Sequence, residues 1–191
     1  MQITNEDIRK IGKKYENEFS FVAEFGATSI QSYDIDCADL EEKYYTQDIR
    51  DAEKFNSIFE RLQKTLNPCV YYFEIQSDIS AETIVEKIST CNKKIPAIKN
   101  EIQKVSRILY VGKSNCIWGR LITHFGFHTN KNDGNPIPAD VHGLYLFNWA
   151  TPLNLKLKFH VFEFESSMHD LIKVIENAFA EKLKPIIGKH I

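Results

Sequence analysis

No uninterrupted apolar run in this sequence approaches 18 residues, so nothing in it reads as a membrane span. The first residues, MQITNEDIRKIGKKYENE, are too polar for a secretory leader, and a cytoplasmic protein is expected. Cysteine is scarce and scattered. Cys37, Cys69, Cys91 and Cys116 have no CxxC spacing, which argues against a structural zinc site or a disulfide frame and for free thiols. Internal repeats and low-complexity tracts are absent. One charge sign does not dominate the whole chain, whose formal net charge is −2. The halves differ, however. Residues 1–91 carry 10 Lys+Arg against 18 Asp+Glu, whereas residues 92–191 carry 14 against 8, a net of −8 and +6. A polyanion is therefore expected to meet the C-terminal half, with the acidic half solvated or competing for the same basic surface.

What is present is an ordinary globular composition, 43% hydrophobic over 191 residues, enough for one domain with an appendage. Periodicity predicts helices over 4–20, 47–66, 80–105 (broken near Pro96), 115–125 and 168–185. Strands are predicted over 69–75, 107–112, 144–150 and 155–166; residues 21–46 resist assignment. The expected fold is α/β: a small, mainly antiparallel sheet flanked by helices. It divides into a helical N-terminal extension, 1–67, and a sheet-bearing domain, 68–191, with a helical insertion at 78–106.

The chemistry gathers around ILYVGKSNCIWGRLITHFG, residues 108–126: a strand, a glycine turn and a helix. Gly112-Lys113-Ser114 has the tail of a phosphate-binding loop, but that motif needs glycine at position 107, which holds Arg107. Arg120 and His124 stand one helical turn apart. His124 and His128 have a zinc-like spacing, yet Gly126 interrupts the helix between them and no third ligand is suitably spaced. Tyr71 and Tyr110 sit on predicted strands, and Glu176 falls among the apolar positions of the last helix. Read singly, each has an ordinary role: half-buried strand aromatics, a solvated helix face, or an ion pair such as Lys173 with Glu176.

As an ordered set, these residues resemble the GIY-YIG nuclease family. Cys69-Val70-Tyr71 corresponds to its first motif, and Tyr110-Val111-Gly112, followed by Lys113-Ser114, to its second. Arg120 matches the family arginine, His124 the histidine one turn later, and Glu176 the glutamate on a helix ahead of Lys184-Pro185. The resemblance spans about residues 69–188. Cys69 stands in place of a family glycine and Gly188 in place of a common asparagine. The resemblance implies a DNA endonuclease using Mg²⁺ or Mn²⁺. Tyr71 or Tyr110 would be the base, Glu176 the metal ligand, and Arg120 the phosphate clamp, with Lys113 and His124 assisting. Lys113 is expected to favour a phenolate, and Gly112 to admit the substrate backbone. Ser114 and the polar loop 126–143, with Asn130, Lys131 and Asn132, are expected to contact substrate, and the expected partners are DNA and a second copy of the chain. The alternative is a binding module on the same fold with an impaired site.

Overall fold

The structure, a computed structural model, describes residues 4–99, 106–127 and 142–188. Its centre is a four-stranded, wholly antiparallel sheet in the order β1-β4-β2-β3. The strands are β1 (Ser29–Asp36), β2 (Cys69–Ile75), β3 (Ile108–Ser114) and β4 (Lys156–Glu163). β2 has a nearly continuous apolar run, CVYYFEI, as a central strand buried on both faces should. The helices are α1 (Asn5–Phe25), α2 (Asn56–Leu62), α3 (Ala81–Ser89), α4 (Ile117–Phe125), α5 (Leu146–Trp149) and α6 (Ile172–Leu183). The fold is therefore α/β with an antiparallel sheet.

Side chains alternate across the strands, so the sheet has two different faces. Tyr71, Phe73, Phe159 and Val161 belong to the larger core, which also takes Phe59 and Leu62 of α2, Ile84 and Ile88 of α3, and Leu121 and Phe125 of α4. Val70 and Val111 point the other way, into a smaller cluster with Ile172, Ile175 and Ala180 of α6. A register shift opposite Phe73/Glu74 interrupts the β2–β3 ladder. Past this bulge, neighbouring Leu109 and Tyr110 both join the larger core, the kind of local re-aiming that such an irregularity permits.

Several elements differ from expectation. The extension 1–67 is not wholly helical. It supplies β1, whose eight residues pair with β4, and its Tyr44, Phe55 and Phe59 ring the aromatic side chains of Phe125 and Phe127. The helix expected over 47–66 is a 3₁₀ turn, Ile49–Asp51, followed by the shorter α2. In the insertion, helix is confined to α3; residues 90–99 carry none, and 100–105 lie outside the described residues. The strand expected over 144–150 is instead an irregular lead-in and the four-residue α5. Tyr145 enters the left-handed region at φ 51° and turns the chain, and the Trp149 indole N–H closes back on the Leu144 carbonyl at 2.7 Å. An unalternating apolar run such as LYLFNWA is compatible with either structure when it is buried all round. All four cysteines are free. No helix among the described residues is long and apolar enough to cross a membrane.

Candidate active site

α4 begins immediately after β3 and packs on the face of the sheet that carries Tyr71. The turn between them is held by the Ser114 hydroxyl, which accepts the Cys116 N–H at 3.0 Å. Ser114 thus has a local structural role in the turn, with its own O–H still able to donate. From α4, Arg120 and His124 both reach the Tyr71 hydroxyl: Arg120 Nε donates to it at 3.0 Å, and His124 Nε2 lies 2.7 Å away.

The His124 contact has a defined direction. Its Nδ1 accepts the backbone N–H of Leu144 at 3.1 Å, so in the neutral ring Nε2 carries the hydrogen and donates to Tyr71. Tyr71 Oη therefore accepts two hydrogen bonds, one from a permanent cation. Both side chains are fully buried. Burial, and Arg120 beside it, hold the His124 pKa well below the ordinary histidine value, so the ring stays neutral. Burial foremost, with Tyr110 and the Glu176 charge adding, pushes the Tyr71 phenol well above its ordinary value, while Arg120 pulls the other way. Burial works against the Arg120 charge, yet its two phenol neighbours, Tyr71 and Tyr110, more than offset this and raise its pKa.

Gly112 is what lets this cluster exist. It lies opposite Tyr71 in the β2–β3 register, and a Cβ there would stand 2.5 Å from Tyr71 Oη and 2.7 Å from Tyr110 Cε1. The space a side chain would take is filled by the two tyrosine rings. Gly112 is itself buried, so its bareness serves the protein's own packing rather than an approaching substrate. Tyr110 is the more open of the two phenols, 8% exposed against 0% for Tyr71.

Lys113 falls elsewhere. One residue beyond Gly112, it pairs with Val70 and so projects from the opposite face of the sheet, exposed to solvent. The cation in contact with Tyr71 is Arg120. Glu176 sits on α6, 6% exposed, with its Oε2 2.8 Å from Lys173 Nζ. Its charge is the smallest of the influences on the Tyr71 phenol, and α6 packs on the Val70 and Val111 face of the sheet. Among the described residues, no group of three His, Cys, Asp or Glu gathers to hold a metal. The donor set therefore fits only a divalent ion anchored by one carboxylate and completed by phosphate oxygens and water, a manner common for Mg²⁺.

The segment returning from the polar loop supplies contacts that the sequence did not advertise. Arg120 Nη1 donates to the His142 carbonyl at 2.7 Å. Gly143 packs so closely on α4 that a Cβ would meet the Thr123 carbonyl oxygen at 2.6 Å. Glycine here brings the His142 carbonyl and the Leu144 N–H against Arg120 and His124. A lone glycine following a polar loop was the available signal. Asn115 Nδ2 also lies 2.7 Å from His169 Nε2 beside the β3–α4 turn. Asn130, Lys131 and Asn132 lie outside the described residues, although the chain leaves the site at Phe127 and re-enters it at His142.

Comparison with protein-family models, with curated proteins and with solved structures found no match to this chain.

Proposed function

We propose that the protein is a metal-dependent endonuclease of GIY-YIG type that hydrolyses DNA phosphodiester bonds. The observation that carries this reading is the convergence of β2, β3 and α4 on one phenol: Arg120 and His124 donate to Tyr71 while Arg120 also engages Tyr110, with the Glu176 charge acting on the same group. Separately placed elements supply the residue types that phosphodiester hydrolysis needs, in the order that the family motifs have.

In this reading Tyr71 is a positioning residue. Its oxygen fixes the Arg120 guanidinium, which offers its remaining N–H groups to a phosphate and to the charge developing on it. Tyr110, the more open phenol, takes the proton from the attacking water. A divalent ion on Glu176 would neutralise charge at the leaving oxygen. The net +6 of residues 92–191 supplies the field that draws DNA to this half.

A second reading, a nucleic-acid-binding module with an impaired site, is favoured by one feature: Lys173 already occupies one oxygen of the lone carboxylate. The deciding experiment is incubation of supercoiled plasmid with Mg²⁺, Mn²⁺ or EDTA, using wild type, Tyr110→Phe and Glu176→Ala. Metal-dependent nicking lost in both variants supports the nuclease. DNA binding retained by a wild type that cuts with neither metal supports the module.

A further inference from the structure

α1 is built to stand as a helix and is then left without a core to enter. Thr4 and Asp7 form a reciprocal capping box at its start, yet none of its 21 residues is buried. Ile8, Ile11, Tyr15 and Val22 fall on one stripe, spaced by three, four and seven residues. Only the later part of that stripe, Tyr15 and Val22, packs on the cluster beside α6. Ile8 and Ile11 are 57% and 51% exposed. At the other end of α1 lies an apolar groove of about 470 Å³ between α1, β4 and α6, lined by Phe19, Val22, Ile30, Phe162, Val174 and Phe179. The ring pair Phe21–Phe25 adds exposed apolar surface beside it, and Ile30 and Val174 of its lining are themselves exposed.

Beyond an acidic first turn, Glu6 and Asp7, the charges of α1 are segregated along its length, although the ion pairs Lys10–Glu6, Lys13–Glu16 and Lys14–Glu18 form within it. Residues 9–14 carry Arg9, Lys10, Lys13 and Lys14 and no acid; residues 16–24 carry Glu16, Glu18 and Glu24 and no base. Antiparallel pairing with a second α1 sets each basic half against an acidic half.

We propose that α1 and this groove form a two-fold interface between two copies of the chain. The exposed Ile8 and Ile11 end of each α1 lies along the acidic half of its partner and enters the partner's groove. Such an arrangement is isologous: the same patch serves both subunits, and the contact closes at two copies. A 21-residue helix is about 32 Å long, and a stable pair covers about 800 Å² on each partner, so the helix stripe and the groove are both required. This surface lies on the α1–α6 side, and the proposal does not depend on the nuclease reading.

Sedimentation velocity over a concentration series tests it, with three variants whose altered side chains are solvent-exposed. Ile8→Ser with Ile11→Ser should weaken self-association about tenfold or more. Lys10→Glu with Lys13→Glu, and separately Glu16→Lys with Glu24→Lys, should each be chiefly monomeric. Mixing the two charge variants should restore a dimer containing one copy of each, whereas a groove serving an unrelated partner would give none. A wild type that sediments as a monomer throughout overturns the proposal, as does a dimer that all three variants leave unchanged. Circular dichroism of each variant confirms that α1 remains helical.

Discussion

Replacing Gly112 with alanine separates two explanations of that residue. If glycine is there so that a substrate can approach, an added methyl should leave folding intact and weaken binding. If it is there for the tyrosines, the methyl strikes the protein itself. The geometry favours the second. The new Cβ would lie 2.5 Å from Tyr71 Oη, 2.7 Å from Tyr71 Cζ and 2.7 Å from Tyr110 Cε1. None of these atoms is the free end of a mobile chain. Tyr71 is fully buried and tied by Arg120 and His124, and the Tyr110 ring lies 6.2 Å from the Tyr71 ring, centroid to centroid. Overpacking of this kind costs about 1–3 kcal/mol. For a chain of this size that corresponds to a fall in Tm of about 2–12 °C. The assay is urea and thermal unfolding of Gly112→Ala alone and in a Tyr71→Phe background. Removing Oη relieves the shortest contact and leaves two, so the alanine penalty should shrink in that background without vanishing. An unchanged unfolding midpoint combined with weakened DNA binding would refute the packing argument and return Gly112 to the substrate face.

Tyr71→Phe leaves the buried His124 Nε2 and the half-buried Arg120 Nε without their acceptor and should destabilise the fold by about 1–3 kcal/mol in urea unfolding; a midpoint equal to wild type would mean that the pair finds water. Because the folded-state pKa of His124 is depressed, the unfolded chain takes up a proton below pH 6.5 that the native site refuses, so stability should fall as pH drops, by at most about 1.4 kcal/mol per pH unit for this one group. His124→Gln should flatten that slope between about pH 6.5 and 5; an identical slope would assign the effect to other groups. Lys113→Met, on the face opposite Tyr71, should lower DNA affinity modestly and shift the pH–rate profile downward in parallel; recovery of the lost rate at high pH would show that Lys113 does act on a phenol.

How much of this was legible in the sequence follows from the kind of signal each part carries. β2, β3, β4, α4 and α6 have apolar periodicity strong enough to be read directly, and they lie close to where periodicity puts them. β1 was not legible because only Tyr33 and Ile35 of SIQSYDID turn inward, while Asp34 and Asp36 face outward and Ile30 stays exposed. Its strand character comes from pairing with β4, a long-range cause with little local trace.

The candidate site divides along the same line. Tyr71, Tyr110, Arg120 and His124 are linked by order and spacing, and the structure brings them into one cluster. Lys113 follows the Tyr110-Val111-Gly112 motif in sequence, yet strand alternation sends it to the face opposite Gly112 and Tyr71. The contacts that give the cluster its chemistry were beyond sequence reading because two of them come from the main chain. The Leu144 N–H chooses which nitrogen of His124 holds the hydrogen, and the His142 carbonyl holds one end of Arg120. Any residue but proline provides that N–H, and any residue at all that carbonyl. Only Gly143 is constrained, by the closeness of α4. The direction of the hydrogen bond into Tyr71 is thus set by a backbone segment 20 residues beyond the histidine it orients. Whatever shifts the His142–Leu144 backbone therefore acts on the Arg120 and His124 donors together.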